Sequence, residues 1–213
     1  MQKMIHIMCL ALLTIGFPGC KTTLSTGGTP ELKPPMYTDM QETQFIKWNL
    51  EYTEPWLIET FESIPEDKLL LPPRPGMDAP ALVFANCIIK EAIHIQGFNQ
   101  GQVNIPQKYE CLLHWQGGSK NEKLEAVSDR KALVSFFKQV RQATYSYLDS
   151  LSDDQLKEVP ERSILKDGDP NRGNPIREAF VMTIYTQNVT WGKLIATKEA
   201  LGLPATEPEK WQK

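Results

Sequence analysis

Side chains able to do chemistry are sparse in this chain. Of its three histidines, His6 lies in an apolar leader, which leaves His94 and His114 in the folded part. Glu91 and His94 stand one helical turn apart, and Glu110 and His114 can share a second helical face. Together these residues could make a two-histidine, two-carboxylate metal site. Taken singly they read as solvated glutamates and half-buried imidazoles. A three-histidine site within one chain is excluded. Nucleophile signatures are missing too: the sequence has no G-x-S-x-G elbow, no P-loop and no C-x-x-C. Of four cysteines, Cys9 lies in the leader and Cys20 directly follows it, so Cys87 and Cys111 remain. Both read as separate buried thiols. Asn188-Val189-Thr190 matches a glycosylation sequon but falls inside a helix and reads as chance.

The strongest polar signal lies in the last helical segment, Ile176 to Leu201. At helical spacing Ile176, Phe180, Thr183, Gln187, Thr190, Leu194 and Leu201 share one face, apolar at both ends and polar in the middle. Burying Thr183, Gln187 and Thr190 costs free energy unless each finds a partner. The expected partner is Asn86, which stands alone in the apolar row Leu82, Ile89 and Ile93. An inward Asn either sets register through a core hydrogen bond or touches a ligand.

Helices must position these groups. From about Thr43 to Ile64, Leu50, Leu57, Phe61 and Ile64 repeat at helical spacing across Pro55, which predicts one kinked helix. The proline-rich stretch 65–80 predicts a loop with fixed bends. A second helix is expected from Ala81 to Gly97, apolar on two sides and so largely buried. Residues 97–127 carry weak periodicity, with at most a helical turn over Tyr109 to Trp115. A third long helix opens at Ser128 as cap, with Leu133, Phe136, Phe137, Val140, Thr144, Tyr147, Leu148 and Leu151 as its stripe. Ser152-Asp153-Asp154-Gln155 fits a capping box opening a short helix. Pro175 suits the start of the last helix, and Gly202 with Pro204 its stop. Four long helices and no strand pattern predict an all-α four-helix bundle.

The 213 residues are 41% hydrophobic and 23% charged, enough for one domain with a real core. Lys3 and the apolar run Met4 to Phe17, ending in Pro18-Gly19-Cys20, describe an export signal too short to span as a stop-transfer helix. The expected organisation is a lipoprotein-type signal at 1–19, a tether at 20–42 rich in Thr, Gly and Pro, the bundle at 43–205, and a tail at 206–213. Lipidation of Cys20 would make the chain an exported bacterial lipoprotein held beside a membrane. Phe17 and Pro18 stand where such signals usually carry Leu and a small residue. Removing residues 1–19 takes one basic residue from 23, leaving 22 against 26 acidic and a formal charge of −4. No Lys/Arg cluster stands out, so no nucleic-acid partner is expected.

The turn Pro75-Gly76-Met77-Asp78-Ala79-Pro80 followed by ALVFANCIIKE resembles the entry to the second helix of DinB-like (YfiT-type) proteins. Lys131-Ala132-Leu133-Val134, the phrase SLSDDQL after the third helix, and Thr186-Gln187-Asn188-Val189-Thr190-Trp191-Gly192-Lys193-Leu194 also resemble that family. The last frame reads H-x-x-x-H-x-G-Q-L in its members. The resemblance covers about 43–205 and implies a four-helix bundle. It also implies a divalent metal held by three histidines, and thiol transferase or metal hydrolase activity in relatives that keep them. The ligand positions here are Asn86, Thr186 and Thr190, whose amide and hydroxyls are weak ligands beside imidazole; Glu91 matches the family's glutamate. The expectation is a domain without the family's metal and with no cofactor. Its candidate pocket is Asn86, Thr183, Gln187, Thr190 and Glu91, open to a small molecule or a partner protein such as a second copy. The alternatives are a transferase or hydrolase with a metal site rebuilt from Glu91, His94, Glu110 and His114, and a scaffold whose polar residues bond only one another.

Overall fold

Pro55 sits inside the first helix without ending it: in the computed structural model α1 runs unbroken as Glu42–Glu62. The structure describes residues 40–96, 105–113, 118–160 and 173–204, apart from the side chain of Gln96. The expected signal and tether, Cys20, His114, and the tail therefore lie outside the described residues. Proline has no N–H to donate back along the helix and crowds the preceding turn. In that turn Thr53 Oγ1 lies 3.0 and 3.2 Å from the carbonyl oxygens of Asn49 and Leu50. The N-terminus of α1 is capped from far away in sequence. Asp153 accepts from the Glu42 and Thr43 amides at 2.8 and 3.0 Å, and from Thr43 Oγ1 at 3.0 Å. These bonds satisfy donors that a helix start leaves open, and they hold the Asp153 carboxyl below the usual aspartate range, the bond from the Thr43 amide first among the causes.

Helix α2 is Pro80–Glu91 and continues as a π-helical turn over Ala92–Gln96. It is apolar nearly all round and buried accordingly. Helix α3, Lys120–Ala126, lies in the stretch with no readable periodicity, and a full capping box between Ser119 and Glu122 starts it. Helix α4 is Arg130–Asp149, capped by Asp129 accepting from Ala132 rather than by Ser128, whose hydroxyl instead bonds Glu125 O. Ser152 and Gln155 form the expected reciprocal bonds, but only a 3₁₀ turn, Gln155–Lys157, follows. A second 3₁₀ turn, Gln107–Leu112, occupies part of the region expected to hold a helical turn. Helix α5 is Ile176–Ala200. It ends in a Schellman turn: Gly202 at φ +69° lets its amide reach Glu199 O and that of Leu203 reach Lys198 O, at 3.0 and 2.9 Å.

Among the described residues all regular structure is helical, and none of the helices is long and apolar enough to cross a membrane. Contacts fix the helix directions. Thr53 meets Gln187 and Thr60 meets Trp191, so α1 and α5 run parallel. Phe84 packs on Phe137 and Glu91 bonds Arg141, so α2 and α4 run parallel to each other. Near the start of α1 Lys47 meets Asp149 at the end of α4, and near its end the carbonyl of Glu62 meets Arg130 at the start of α4, so the two pairs are antiparallel. The buried residues divide into two apolar clusters. One holds Leu57, Phe61, Phe84, Ile88, Leu133, Phe137 and Leu194; the other holds Ile46, Leu50, Ile95, Leu148, Ile176 and Phe180. Each long helix passes from one cluster to the other. What lies between them is polar.

Candidate functional site

The polar layer between the clusters centres on Arg141 and Glu91, each only 1% exposed. Arg141 Nε and Nη2 donate to the two Glu91 oxygens, both at 2.9 Å, and Nη1 donates to Leu50 O at 3.0 Å. Glu91 also accepts from Thr144 Oγ1 at 2.7 Å and from Gln187 Nε2 at 3.1 Å, while Gln187 accepts from Thr53 Oγ1 at 2.7 Å. Groups from each of α1, α2, α4 and α5 join this network. Burial by itself would lower the Arg141 pKa, but the carboxylate of Glu91 overrides it and raises the value, so the guanidinium stays charged. The guanidinium carbon also lies 4.9 Å from the Phe137 ring centre. The bidentate fork with its further donors is the geometry a buried charge pair needs to offset its desolvation.

These contacts correct the expected partnership of the last helix. Gln187 does turn inward, but it meets Glu91 and not Asn86. Thr183 bonds its own helix, donating to Ala179 O at 2.9 Å. Asn86 is exposed and takes no part in the layer. On α2, Leu82, Ile89 and Ile93 are buried while Asn86 at the same spacing is not, because it faces a gap beside α5.

That gap is a surface cleft of about 230 Å³, and it gathers Asn86, Cys87, Thr186 and Thr190. Cys87 and Thr190 form its floor, 1% and 5% exposed. Burial, then the nearby Glu91 charge, push the Cys87 thiol up to about 12, against which a hydrogen bond with Thr190 works only weakly. A thiol so poised is neutral at ordinary pH and is not a nucleophile. Lys90, Lys193, Tyr185 and Asp78 stand at the rim. The expected pocket therefore splits in two: Asn86 and Thr190, with Thr186, line the cleft, while Thr183, Gln187 and Glu91 belong to the buried interior.

Among the described residues, Glu91, His94 and Glu110 do not come together as the rebuilt metal site would need. Both oxygens of Glu91 are engaged by Arg141, Thr144 and Gln187. His94 lies half-buried on the π-helical turn, Glu110 is exposed on the 107–112 turn, and His114 falls outside the described residues. Among the described residues, no three His, Cys, Asp or Glu side chains come together as a metal site would require. Cys87 and Cys111 are both free; Cys87 is buried as expected, but Cys111 is half-exposed.

Arg141 is the site residue that the sequence reading lacks, although a signal for it exists. Leu133, Phe137, Arg141, Thr144 and Leu148 share one stripe of α4, so a cation sits at the centre of an apolar face and requires an acid opposite.

No protein-family model and no curated protein matches the chain. Among solved structures it is similar to the crystal structure of a conserved protein from Enterococcus faecalis, with a TM-score of 0.59 at 18% identity over 76% of this chain and 99% of that one. At that identity the likeness is one of fold, and the fold is all-helical.

Proposed function

We propose that the chain is a membrane-tethered, DinB-like four-helix bundle that has lost the family's metal triad and binds a small molecule in the cleft the triad would have occupied. The carrying observation is that Asn86, Thr186 and Thr190, the three positions matched to the family's ligands, line one solvent-connected cleft. The ring of α1, α5, α2 and α4 around a shared core supports the bundle reading. An amide and two hydroxyls bind zinc or nickel weakly, whereas they hold an organic ligand well through directional hydrogen bonds. The neutral Cys87 at the floor favours binding over thiolate chemistry. Export and lipidation at Cys20 rest on the sequence pattern of residues 1–20.

Titrating the protein with a set of small neutral and charged molecules, followed by backbone amide shifts, tests the binding reading. Saturable shifts at Asn86, Thr186 and Thr190, abolished in Asn86→Trp, are expected. Shifts that avoid the cleft, or that survive the Trp variant, would refute it. Metal analysis of the purified protein adds a second check, since near-stoichiometric zinc or nickel would overturn the loss of metal. Cys20→Ser should release the chain from membranes.

A further inference from the structure

Resting on the cleft as a binding site, we infer that its ligand is a small oxyanion, a carboxylate or a phosphate, held between Lys90 and Lys193. The chain as a whole is acidic, 26 Asp and Glu against 23 Lys and Arg, yet the cleft reverses that sign. Two lysines line it against the single carboxylate of Asp78. Helical spacing puts them there: Lys90 follows Asn86 by one turn on α2, and Lys193 follows Thr190 by one turn on α5. Because Glu91 meets Gln187 while Cys87 meets Thr190, α2 and α5 are antiparallel, which places the two ammonium groups towards opposite ends of the cleft. The side chains of Lys90, Lys193, Asn86 and Thr186 make no hydrogen bond or ion pair within the described residues. Their donors remain to be used by a ligand.

The chemistry of this lining selects its occupant. Lysine offers three N–H donors and no acceptor, and the Asn86 amide and Thr186 hydroxyl can both donate. Hydrogen bonds between ionised partners are roughly twice as strong as neutral ones, so an oxyanion gains most from the site. The same two cations oppose a divalent metal by direct repulsion. The lack of imidazole ligands and the presence of the two lysines therefore point the same way. The volume, about 230 Å³, suits a small carboxylate or a phosphate group rather than a large cofactor.

The test uses the full chain carrying Cys20→Ser, titrated at low ionic strength with sodium phosphate and sodium malonate, and in parallel with glycerol and acetamide as neutral probes. Backbone amide shifts at Asn86, Thr186 and Thr190 report occupancy. The inference expects saturable binding of phosphate or malonate, weakened at least tenfold by Lys90→Gln with Lys193→Gln and weakened again as salt is raised. Both lysines are exposed, so the variant should stay folded, which circular dichroism checks. Anion binding that is unchanged in the double variant overturns the inference. Tighter cleft binding of the neutral probes overturns it as well, but leaves the cleft standing as a binding site. If no probe of either class shifts these amides, both readings fall. A last arm separates the source of the anion: vesicles of phosphatidylglycerol in phosphatidylcholine should bind only through these lysines and be displaced by free phosphate if the natural anion is a lipid headgroup. If the vesicles do not bind while soluble anions do, the ligand is a soluble one.

Discussion

Arg141→Met is the most informative single perturbation of this fold. Methionine fills roughly the volume of the arginine stem, so the change removes charge and hydrogen bonds more than packing. Three bonds are lost, two to Glu91 and one to Leu50 O. Glu91 is then a carboxylate 1% exposed with only Thr144 and Gln187 as donors. Removing one partner of a buried ion pair typically costs about 3–5 kcal/mol, because the remaining charge stays desolvated. The two surviving donors place the expected loss near the low end, about 3 kcal/mol. For a domain of this size that corresponds to a fall in Tm of roughly 6–12 °C. The companion Glu91→Leu leaves the guanidinium with Leu50 O and, at 3.8 Å, the partly exposed Glu54, whereas the double variant removes both charges of the buried pair. With Glu91 gone the Thr144 hydroxyl can donate to Val140 O, and Gln187 still accepts from Thr53, so the double variant should be more stable than Arg141→Met. Urea denaturation of the four proteins gives the coupling energy, expected at about 2 kcal/mol or more. A loss under ~1 kcal/mol for Arg141→Met, or additivity of the two single changes, would show that the layer is not a desolvated, coupled network.

Three other outcomes depend on particular contacts. Asp153→Ala removes the cap of α1 and should cost ~0.5–2 kcal/mol at neutral pH. Because the folded-state pKa is depressed, that contribution is complete above the ordinary aspartate value of ~3.9 and is lost as pH falls through the lower folded value. The gap between wild type and variant in urea midpoint should therefore close only in acid, and a gap that narrows between pH 7 and 5 would contradict the assignment. Gly118→Ala would place a Cβ 2.7 Å from both Cβ and O of Cys111, so denaturation should show a loss of roughly 1–3 kcal/mol; a neutral result would mean that the 107–112 turn moves freely. With iodoacetamide near neutral pH, peptide mapping should find Cys111 alkylated well before Cys87, which is 1% exposed and held near 12, and early labelling of Cys87 would refute its burial at the cleft floor.

Helix existence is legible where apolar period and terminal signals agree: Leu50, Leu57 and Phe61 mark α1, and Gly202 with Pro204 closes α5. The cap of α1 is hidden, since its acceptor lies 110 residues away from Thr43 and no local pattern can show that. Helix α3 escapes detection although Ser119 and Glu122 are a capping box, because the seven residues of the helix carry no buried stripe. The polar centre of α5 does need partners, as its pattern implies, but periodicity counts faces and does not say which neighbour each face meets. The apolar row around Asn86 suggests burial, yet a row of helical positions three and four apart spans an arc, and one edge of that arc opens to solvent. The acid that does meet α5, Glu91, is visible in the sequence, and Arg141 on the opposing stripe is the clue to its burial.

The geometry of α5 predicts a mechanical link between the layer and the cleft, and the link can be tested. On α5, Thr186 and Thr190 flank Gln187 at one residue before and three after, so all three lie within one arc of the helix. Once Glu91 and Thr53 hold Gln187, the rotation of α5 about its axis is fixed, and Thr186 and Thr190 are turned towards α2. The network thus acts on the cleft through geometry, without any of its own groups reaching the floor. Gln187→Leu removes both restraints and leaves Glu91 short of one donor, for an expected cost of about 1–3 kcal/mol. If the linkage is right, the same variant shifts the Thr186 and Thr190 amides and weakens occupancy of the cleft, although Gln187 itself does not line it. Thr183→Val is the control: it sits on the same buried face but bonds only its own helix, so it should lower stability and leave the cleft amides in place. Equal effects of the two variants on those amides would mean that general loosening, rather than the grip on Gln187, governs the cleft.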